Sequence, residues 1–340
     1  MVTADHVILI TGGFGFIGSH LVEKVLQRPR TRVHVVDNLS TSPIELSSYL
    51  EELPNLERLS YDICSVHDFF SRRDVPRFDE IYHLASVVGP VGVLKHGGRI
   101  LQKMAGDTYD ILDYALAHNT KLCDISTSEV YGGGRDGYCC EQDSMVIPPK
   151  ISARLEYAVS KLASEVALVN TCRTTSLHAT IVRPFNVAGP RQATQGGFVL
   201  PRFIKQALAG EPLTVYGEGK SVRAFTHVRD IVDGIMRTMA LGKPGEAYNI
   251  GNPANKTTIL ALAQKVVLVT GSSSKVDFVD PKTLWGPLFE EANDKYPDAD
   301  RAMTELGWHP QYELDAIVRE TVEYIRDEQV KRLDAAVVNA

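Results

Sequence analysis

No run in this chain stays apolar over the roughly 20 residues that a membrane-spanning helix needs, so a bilayer-embedded protein is not expected. An excess of positive charge is also missing. The formal net charge is −6, which gives no general attraction to nucleic acid or anionic membranes, and any bound phosphate must be held by local groups. The cysteines are few: Cys64, Cys123, Cys139, Cys140 and Cys172 are odd in number, and their spacing fits neither a zinc site nor a disulfide framework. Free thiols in a reducing compartment are expected, and with them a cytoplasmic protein. Met1 leads into an apolar strand without a basic segment or cleavage site, so no secretory leader is expected. The ten histidines are scattered without ligand spacing, which argues against a metal site. Internal repeats and low-complexity tracts are absent too.

What is present is ordinary globular material, 44% apolar and 23% charged. A chain of 340 residues is too long for one small core and suits a large domain with a smaller companion. Val7-Ile8-Leu9-Ile10 is a short continuous apolar run, the pattern of a strand buried on both faces of a parallel sheet. Val33-His34-Val35-Val36 is a second, ending at Asp37, and similar runs recur at 80–84, 122–125 and 179–182 with helical patterns between them. This alternation predicts an α/β fold around a Rossmann-type doubly wound parallel sheet. After residue 190 the segments are shorter and mixed, with breaks at Gly217, Gly219, Gly242-Lys243-Pro244, Gly251-Asn252-Pro253 and Pro281. The expected division is 1–190 for the first domain and 191–340 for most of a smaller mixed α/β domain, with segments free to return to the first sheet. A charged amphipathic helix should close the chain at about 314–334.

The first strand runs into Thr11-Gly12-Gly13-Phe14-Gly15-Phe16-Ile17-Gly18, where a helical pattern opens. In that context Gly12 allows a tight turn, Gly15 lets the backbone approach a pyrophosphate, and Gly18 lets the helix pack closely on the strand. The helix N-terminus, with Phe16 and Ile17 in its first turn, supplies N–H donors and the positive end of a dipole. Asp37, followed by Asn38, ends the second strand about 20 residues later. A carboxylate there accepts from both ribose hydroxyls and repels a 2′-phosphate, which points to NAD rather than NADP. Asp62-Ile63 falls where a third strand should end and is a candidate for the adenine edge. Leu84-Ala85-Ser86 ends the fourth with small residues that let a cofactor pass close.

Tyr157-Ala158-Val159-Ser160-Lys161 places a phenol and an ammonium on one face of a helix. A nearby cation stabilises phenolate and lowers a pKa that is about 10 when unperturbed, making Tyr157 a candidate general base. Upstream, Ser126-Thr127-Ser128-Glu129-Val130-Tyr131-Gly132 follows an apolar strand and presents hydroxyls and a carboxylate at a strand end, where α/β active sites form. Thr127 and Ser128 can hold a substrate hydroxyl beside Tyr157, and Glu129 can manage a second proton.

Together these residues resemble the extended short-chain dehydrogenase/reductases, the NAD-dependent epimerase/dehydratase family of sugar-nucleotide enzymes. The likeness continues through Arg183-Pro184-Phe185-Asn186-Val187-Ala188-Gly189-Pro190-Arg191 and Arg223-Ala224-Phe225-Thr226-His227-Val228-Arg229-Asp230. It ends with Asn249-Ile250-Gly251-Asn252 and Leu306-Gly307-Trp308-His309-Pro310. The resemblance implies that Thr127, Tyr157 and Lys161 form the catalytic group and that NAD is bound. It implies that Asn186, Arg191 and Arg223 meet the nucleotide diphosphate of a UDP-sugar or its surroundings. It also implies a homodimer formed by a four-helix contact that includes the Tyr157 helix.

Members of that family begin alike: the tyrosine takes the O4 proton while hydride leaves C4 for the nicotinamide, giving a 4-keto sugar. Return of hydride to the other face gives a 4-epimer, loss of water across C5 and C6 gives a 4-keto-6-deoxy sugar, and a C6 carboxylate can leave as carbon dioxide. Dehydratases carry an Asp-Glu pair after the threonine. Here the pair is Ser128-Glu129, which resembles the UDP-glucuronic acid decarboxylases. Trp285-Gly286-Pro287-Leu288-Phe289-Glu290-Glu291, followed by Lys295-Tyr296-Pro297-Asp298, is similar to their C-terminal segment. One departure stands out. Lys295 occupies the place of an arginine assigned to protonation of C5; lysine gives up a proton more readily but lacks the planar fork. A solvated surface lysine is the plain alternative. Lys103-Met104-Ala105-Gly106 stands where many relatives carry an asparagine, and no function is drawn from it. Decarboxylation of UDP-glucuronic acid is the leading expectation, and 4-epimerisation of a UDP-hexose or UDP-hexuronate is second. A 4,6-dehydratase and a non-catalytic NAD-binding scaffold are disfavoured by Ser128 and by the intact Tyr157/Lys161 pair.

Overall fold

The computed structural model describes residues 5–338 apart from 88, 133–136, 146, 148–151, 196 and 287–293. Its central sheet has seven strands: His6–Thr11 (β1), Thr31–Asp37 (β2), Leu59–Ile63 (β3), Glu80–His83 (β4), Lys121–Ile125 (β5), Ala179–Pro184 (β6) and Ala247–Ile250 (β7). All pair in parallel, in the order β7-β6-β5-β4-β1-β2-β3. β7 comes from beyond residue 190, so the later part of the chain does return to the first sheet. The strand order reverses between β1 and β4, and the crevice beyond the carboxyl ends there is where such sheets take ligands.

The longer helices are Phe16–Leu26 (α1), Ile100–His118 (α2), Ala153–Thr174 (α3), Val199–Leu208 (α4), Val228–Leu241 (α5), Ile259–Thr270 (α6) and Leu314–Val338 (α7). Side chains alternate across a strand. Ile8, Ile10, Val33 and Val35 pack with Leu21 of α1 and Ile231 and Ile235 of α5. Leu9, Ile81 and Leu122 face the other way, onto Ile111 of α2 and Leu168 of α3. Both faces are covered, which is why the strands read as continuous apolar runs.

A second core forms where α4, α6 and α7 meet: Phe203, Ile204, Leu213, Val215, Leu262, Val266, Ile317 and Val322 are buried together. Small two-stranded ladders join distant segments. Tyr138–Cys139 pairs with Tyr296–Pro297, bringing the chain at residue 295 against the segment that follows β5. The motifs at 226–230 and 306–310 also meet, since the indole N–H of buried Trp308 donates to the Asp230 carbonyl at 2.9 Å. The five cysteines are free thiols. No helix among the described residues is long and apolar enough to cross a membrane.

Candidate active site

A cleft of about 450 Å³ opens at the carboxyl ends of the sheet. One wall is the glycine turn after β1. Gly12 has φ +70°, and a Cβ there would meet the Ala85 nitrogen at 2.7 Å; a Cβ on Gly18 would run into the Gly12 carbonyl. Side chains at either place would push β1, α1 and the end of β4 apart. No side chain caps the α1 N-terminus, so its first-turn N–H groups remain for a ligand. Asp37 Oδ2 accepts from the Phe14 N–H at 2.9 Å and Oδ1 from the Leu39 N–H at 2.8 Å. Both oxygens keep further lone pairs for hydroxyl donors, and burial raises the pKa of this carboxyl. A glycine cradle, an uncapped helix start and a strand-end carboxylate fit the pyrophosphate and ribose of a dinucleotide.

Gly12, Gly15, Phe16, Ile17, Gly18, Asp37, Asn38, Leu84, Ala85 and Ser86 all line this cleft. Asp62 and Ile63 do not. Asp62 Oδ1 accepts from Arg72 at 2.8 Å and Oδ2 lies 3.0 Å from His34 Nε2, so two basic groups hold it at the sheet edge. Ile63 is half-exposed, and the neighbouring Cys64, Ser65 and Val66 line the cleft instead.

On the opposite wall, Thr127 caps the single turn Ser128–Tyr131, its hydroxyl accepting from the Glu129 N–H at 3.2 Å. The capped turn fixes Thr127 against α3, whose own N-cap Ser152 accepts from Leu155. The Tyr157 hydroxyl faces the Thr127 and Ser86 hydroxyls. Lys161 is buried on the same helix face and donates to the Ile125 carbonyl at 2.6 Å. Burial, foremost, pushes the Tyr157 phenol up to about 12; Glu129 and Asp124 add to this, while the facing Thr127 and Ser86 hydroxyls oppose it. The expectation that Lys161 would bring this phenol toward neutrality is therefore not met by the protein's own groups.

Lys295 is not a surface residue: it is 2% exposed. Its Nζ lies 2.6 Å from Glu129 Oε1 and 3.5 Å from the Ser128 carbonyl. Glu129 is also clasped by Arg154, whose Nε and Nη2 donate at 2.7 and 2.9 Å. Burial alone would raise the Glu129 pKa, but Lys295 and Arg154 outweigh it and hold the group at about 2. Burial lowers the Lys295 pKa, with Glu129 opposing. The Glu129 carboxylate is ionised at neutral pH, and burial makes the Lys295 ammonium give up a proton more readily than a solvated one.

Asn186 lines the cleft in a left-handed conformation, φ +37°, and donates to the Ala224 carbonyl at 3.2 Å and the Lys295 carbonyl at 3.4 Å. Arg191 and Arg223 do not line it. Arg191 donates from Nη2 to Glu23 at 2.7 Å and stands over the Tyr49 ring, while its Nη1 has no hydrogen-bond partner among the described residues. Arg223 is buried, bridges in parallel to Lys295 and donates to its own neighbour's carbonyl at Val222. Residues 287–291 of the C-terminal motif lie outside the described residues. Sequence reasoning missed Arg154, although it sits three residues before Tyr157 in the first turn of one helix and so shares its face. It also missed Asp107, which lines the cleft from α2 and is raised to about 6 by burial, against the pull of Lys103. A lone acid among the buried positions Met104, Thr108, Ile111 and Leu112 was the available signal.

The pattern of the NAD dependent epimerase/dehydratase family matches residues 8–251. The chain is 34% identical over 325 residues to UDP-N-acetyl-alpha-D-glucosaminuronate decarboxylase of Bacillus cytotoxicus, covering 94% of this chain and 97% of that protein. It is 33% identical over 307 residues to UDP-glucuronic acid decarboxylase 4 of Arabidopsis thaliana, covering 90% of this chain and 66% of that one. Among solved structures, UDP-glucuronic acid 4-epimerase from Bacillus cereus in complex with UDP-glucuronic acid and NAD aligns with a TM-score of 0.80 at 25% identity, over 95% of this chain and 99% of that one. The glycine cradle, the Asp37 carboxylate and a family match that reaches from β1 to β7 agree: the chain belongs to the NAD-dependent epimerase/dehydratase family and uses NAD.

Proposed function

We propose that this protein decarboxylates a UDP-hexuronic acid, UDP-glucuronic acid foremost, through a 4-keto sugar nucleotide. The observation that carries the reading is the buried Lys295, ion-paired to Glu129 beside Tyr157. NAD, held on the glycine turn, supplies the hydride acceptor and donor for C4 together with a positive charge in the cleft. Tyr157 takes the O4 proton, and Thr127, lining the cleft beside it, orients O4. With C4 a ketone, the C6 carboxylate belongs to a β-keto acid. Its C5–C6 bond breaks, carbon dioxide leaves, and the electron pair becomes an enolate across C5, C4 and O4. Lys295 delivers a proton to C5, and Glu129 keeps the ammonium in place until solvent restores it. Ser128, Lys161, Asn186, Arg191 and Arg223 complete the set of site residues in this reading. Residues 1–190 hold the cofactor, and 191–340 supply most of the substrate contacts.

The names of the two relatives support the decarboxylase reading. A second reading, 4-epimerisation of a UDP-hexose or UDP-hexuronate, is supported by the structural likeness to the Bacillus cereus epimerase. Epimerisation needs no proton at C5, so a buried, proton-donating lysine favours decarboxylation. Loss of a 6-hydroxyl is disfavoured because Ser128 replaces an acid. The same reading makes the protein a cytoplasmic homodimer joined through α2 and α3, where Leu101, Tyr109, Leu116 and Val166 are exposed. The test is incubation with UDP-glucuronate and NAD, followed by product mass. Loss of carbon dioxide supports the proposal; an unchanged mass with inverted C4 establishes the epimerase instead.

A further inference from the structure

Of the two cations that meet Glu129, Arg154 is the one that faces the cleft. It lines the cleft wall and its side chain is 30% exposed, whereas that of Lys295 is 2% exposed. Its guanidinium grips Glu129 by both oxygens, Nε donating to Oε2 at 2.7 Å and Nη2 to Oε1 at 2.9 Å. Such a two-point grip fixes the plane of the group and holds a long side chain in one orientation. Glu129 is not spent on Arg154 alone. Lys295 draws on the same carboxylate, 2.6 Å from Oε1, so one acid is shared between two bases.

Position along α3 says which part of a substrate would meet this charge. Arg154 precedes Tyr157 by three residues, so the two side chains share a face one turn apart, about 4.5 Å along the helix axis. Lys161 lies one turn the other way and is bonded to the Ile125 carbonyl. The remaining charged residues of the cleft come from other elements: Asp37 ends β2, and Lys103 and Asp107 belong to α2. In a hexuronic acid whose O4 meets Tyr157, C6 is two bonds from C4, so its carboxylate falls within a helical turn of the phenol. We propose that Arg154 is the specificity-determining residue for the C6 carboxylate, its charge selecting a UDP-hexuronic acid over a UDP-hexose.

This inference rests on the reading of the substrate as a UDP-hexuronic acid and adds what recognises it. A hexose presents a neutral hydroxymethyl group at C6 and gains no ionic contact there, so discrimination comes from the difference between the two. The contact is made before any bond breaks, so its loss appears in binding. When the C5–C6 bond breaks, the electron pair passes to the enolate and carbon dioxide leaves uncharged, which frees Arg154 of its ligand. Glu129 then has a positioning part, aiming the guanidinium while Lys295 keeps the carboxylate from neutralising it.

The experiment titrates UDP-glucuronate and UDP-glucose, which differ only at C6, into the full chain loaded with NAD. Tyr157→Phe is the parent, so that neither ligand is consumed, and Arg154→Gln and Arg154→Lys are added to it. Arg154→Gln should weaken UDP-glucuronate by roughly 10–100-fold, the worth of a charge-assisted contact, and leave UDP-glucose unchanged. Arg154→Lys should keep an intermediate preference, since it retains the charge without the fork. Equal weakening of both ligands would place Arg154 on the shared UDP portion or make it structural, and overturns the inference, as does unchanged UDP-glucuronate binding. If Arg154→Gln no longer folds, the same ratio in Arg154→Lys decides. Product mass with wild type separates the two readings. Carbon dioxide released from UDP-glucuronate with an unmoved ratio sinks this inference alone; none released sinks the proposed function, whatever the ratio.

Discussion

Replacing Lys295 by methionine separates the ion pair's part in the fold from its part in the chemistry. Removing one partner of a buried pair costs about 3–5 kcal/mol when the remaining charge is stranded. Glu129 is not stranded: Arg154 keeps both its bonds, at 2.7 and 2.9 Å, and the carboxylate side chain is 21% exposed. The variant also sheds the cost of burying an ammonium, the same burial that lowers the Lys295 pKa. The net loss should be about 1 kcal/mol, a shift of only a few degrees in Tm. The chemical loss is larger, because a positioned general acid is worth roughly 10²–10⁴-fold. Lys295→Met should therefore lower pentose formation by about that factor and keep NAD binding, because the enolate left by carbon dioxide lacks its proton donor at C5. Product NMR beside calorimetric melting reads both effects. Wild-type rates with the ordinary product would refute the proton-donor role. A large fall in Tm together with lost NAD binding would make Lys295 a structural residue.

Tyr157→Phe should cut turnover by about 10²–10⁴-fold with NAD affinity unchanged, checked by steady-state rates and calorimetry. Asp37→Ala removes the partner of Phe14 and Leu39 as well as the ribose acceptor, and should weaken NAD binding about 10–100-fold; an unchanged Kd would remove Asp37 from the site. Glu129 has a folded pKa of about 2 against an ordinary 4.5. Its stabilisation is thus present above pH 4.5 and is lost as pH falls through 2, so acid melting curves of Glu129→Gln should lack that part of the wild-type decline. Gly18→Ala, whose Cβ meets the Gly12 carbonyl, should lose NAD binding in a fluorescence titration.

What the sequence revealed was whatever is encoded locally. The two-faced burial of β1, β2, β4, β5 and β6 leaves continuous apolar runs, so five sheet strands were found within a residue or two of their ends. The turn at Gly12–Gly18 and the i,i+4 pair of Tyr157 and Lys161 are likewise short-range patterns. What was hidden depends on contacts far apart in the chain. Lys295 meets Glu129 across 166 residues, and nothing in its own neighbourhood marks it as buried. Arg191 carries the charge a diphosphate needs, yet Glu23, 168 residues away, already holds it. Asp62 ends its strand as expected, but Arg72 and His34 turn it from the cleft.

The most direct test of the account is turnover of UDP-glucuronate with NAD in deuterium oxide, read by product mass and NMR. Decarboxylation through a 4-keto sugar with protonation by Lys295, whose proton exchanges with solvent, should give a UDP-pentose carrying one deuterium at C5. A hexuronate of unchanged carbon count, inverted at C4 and free of deuterium at C5, would contradict it.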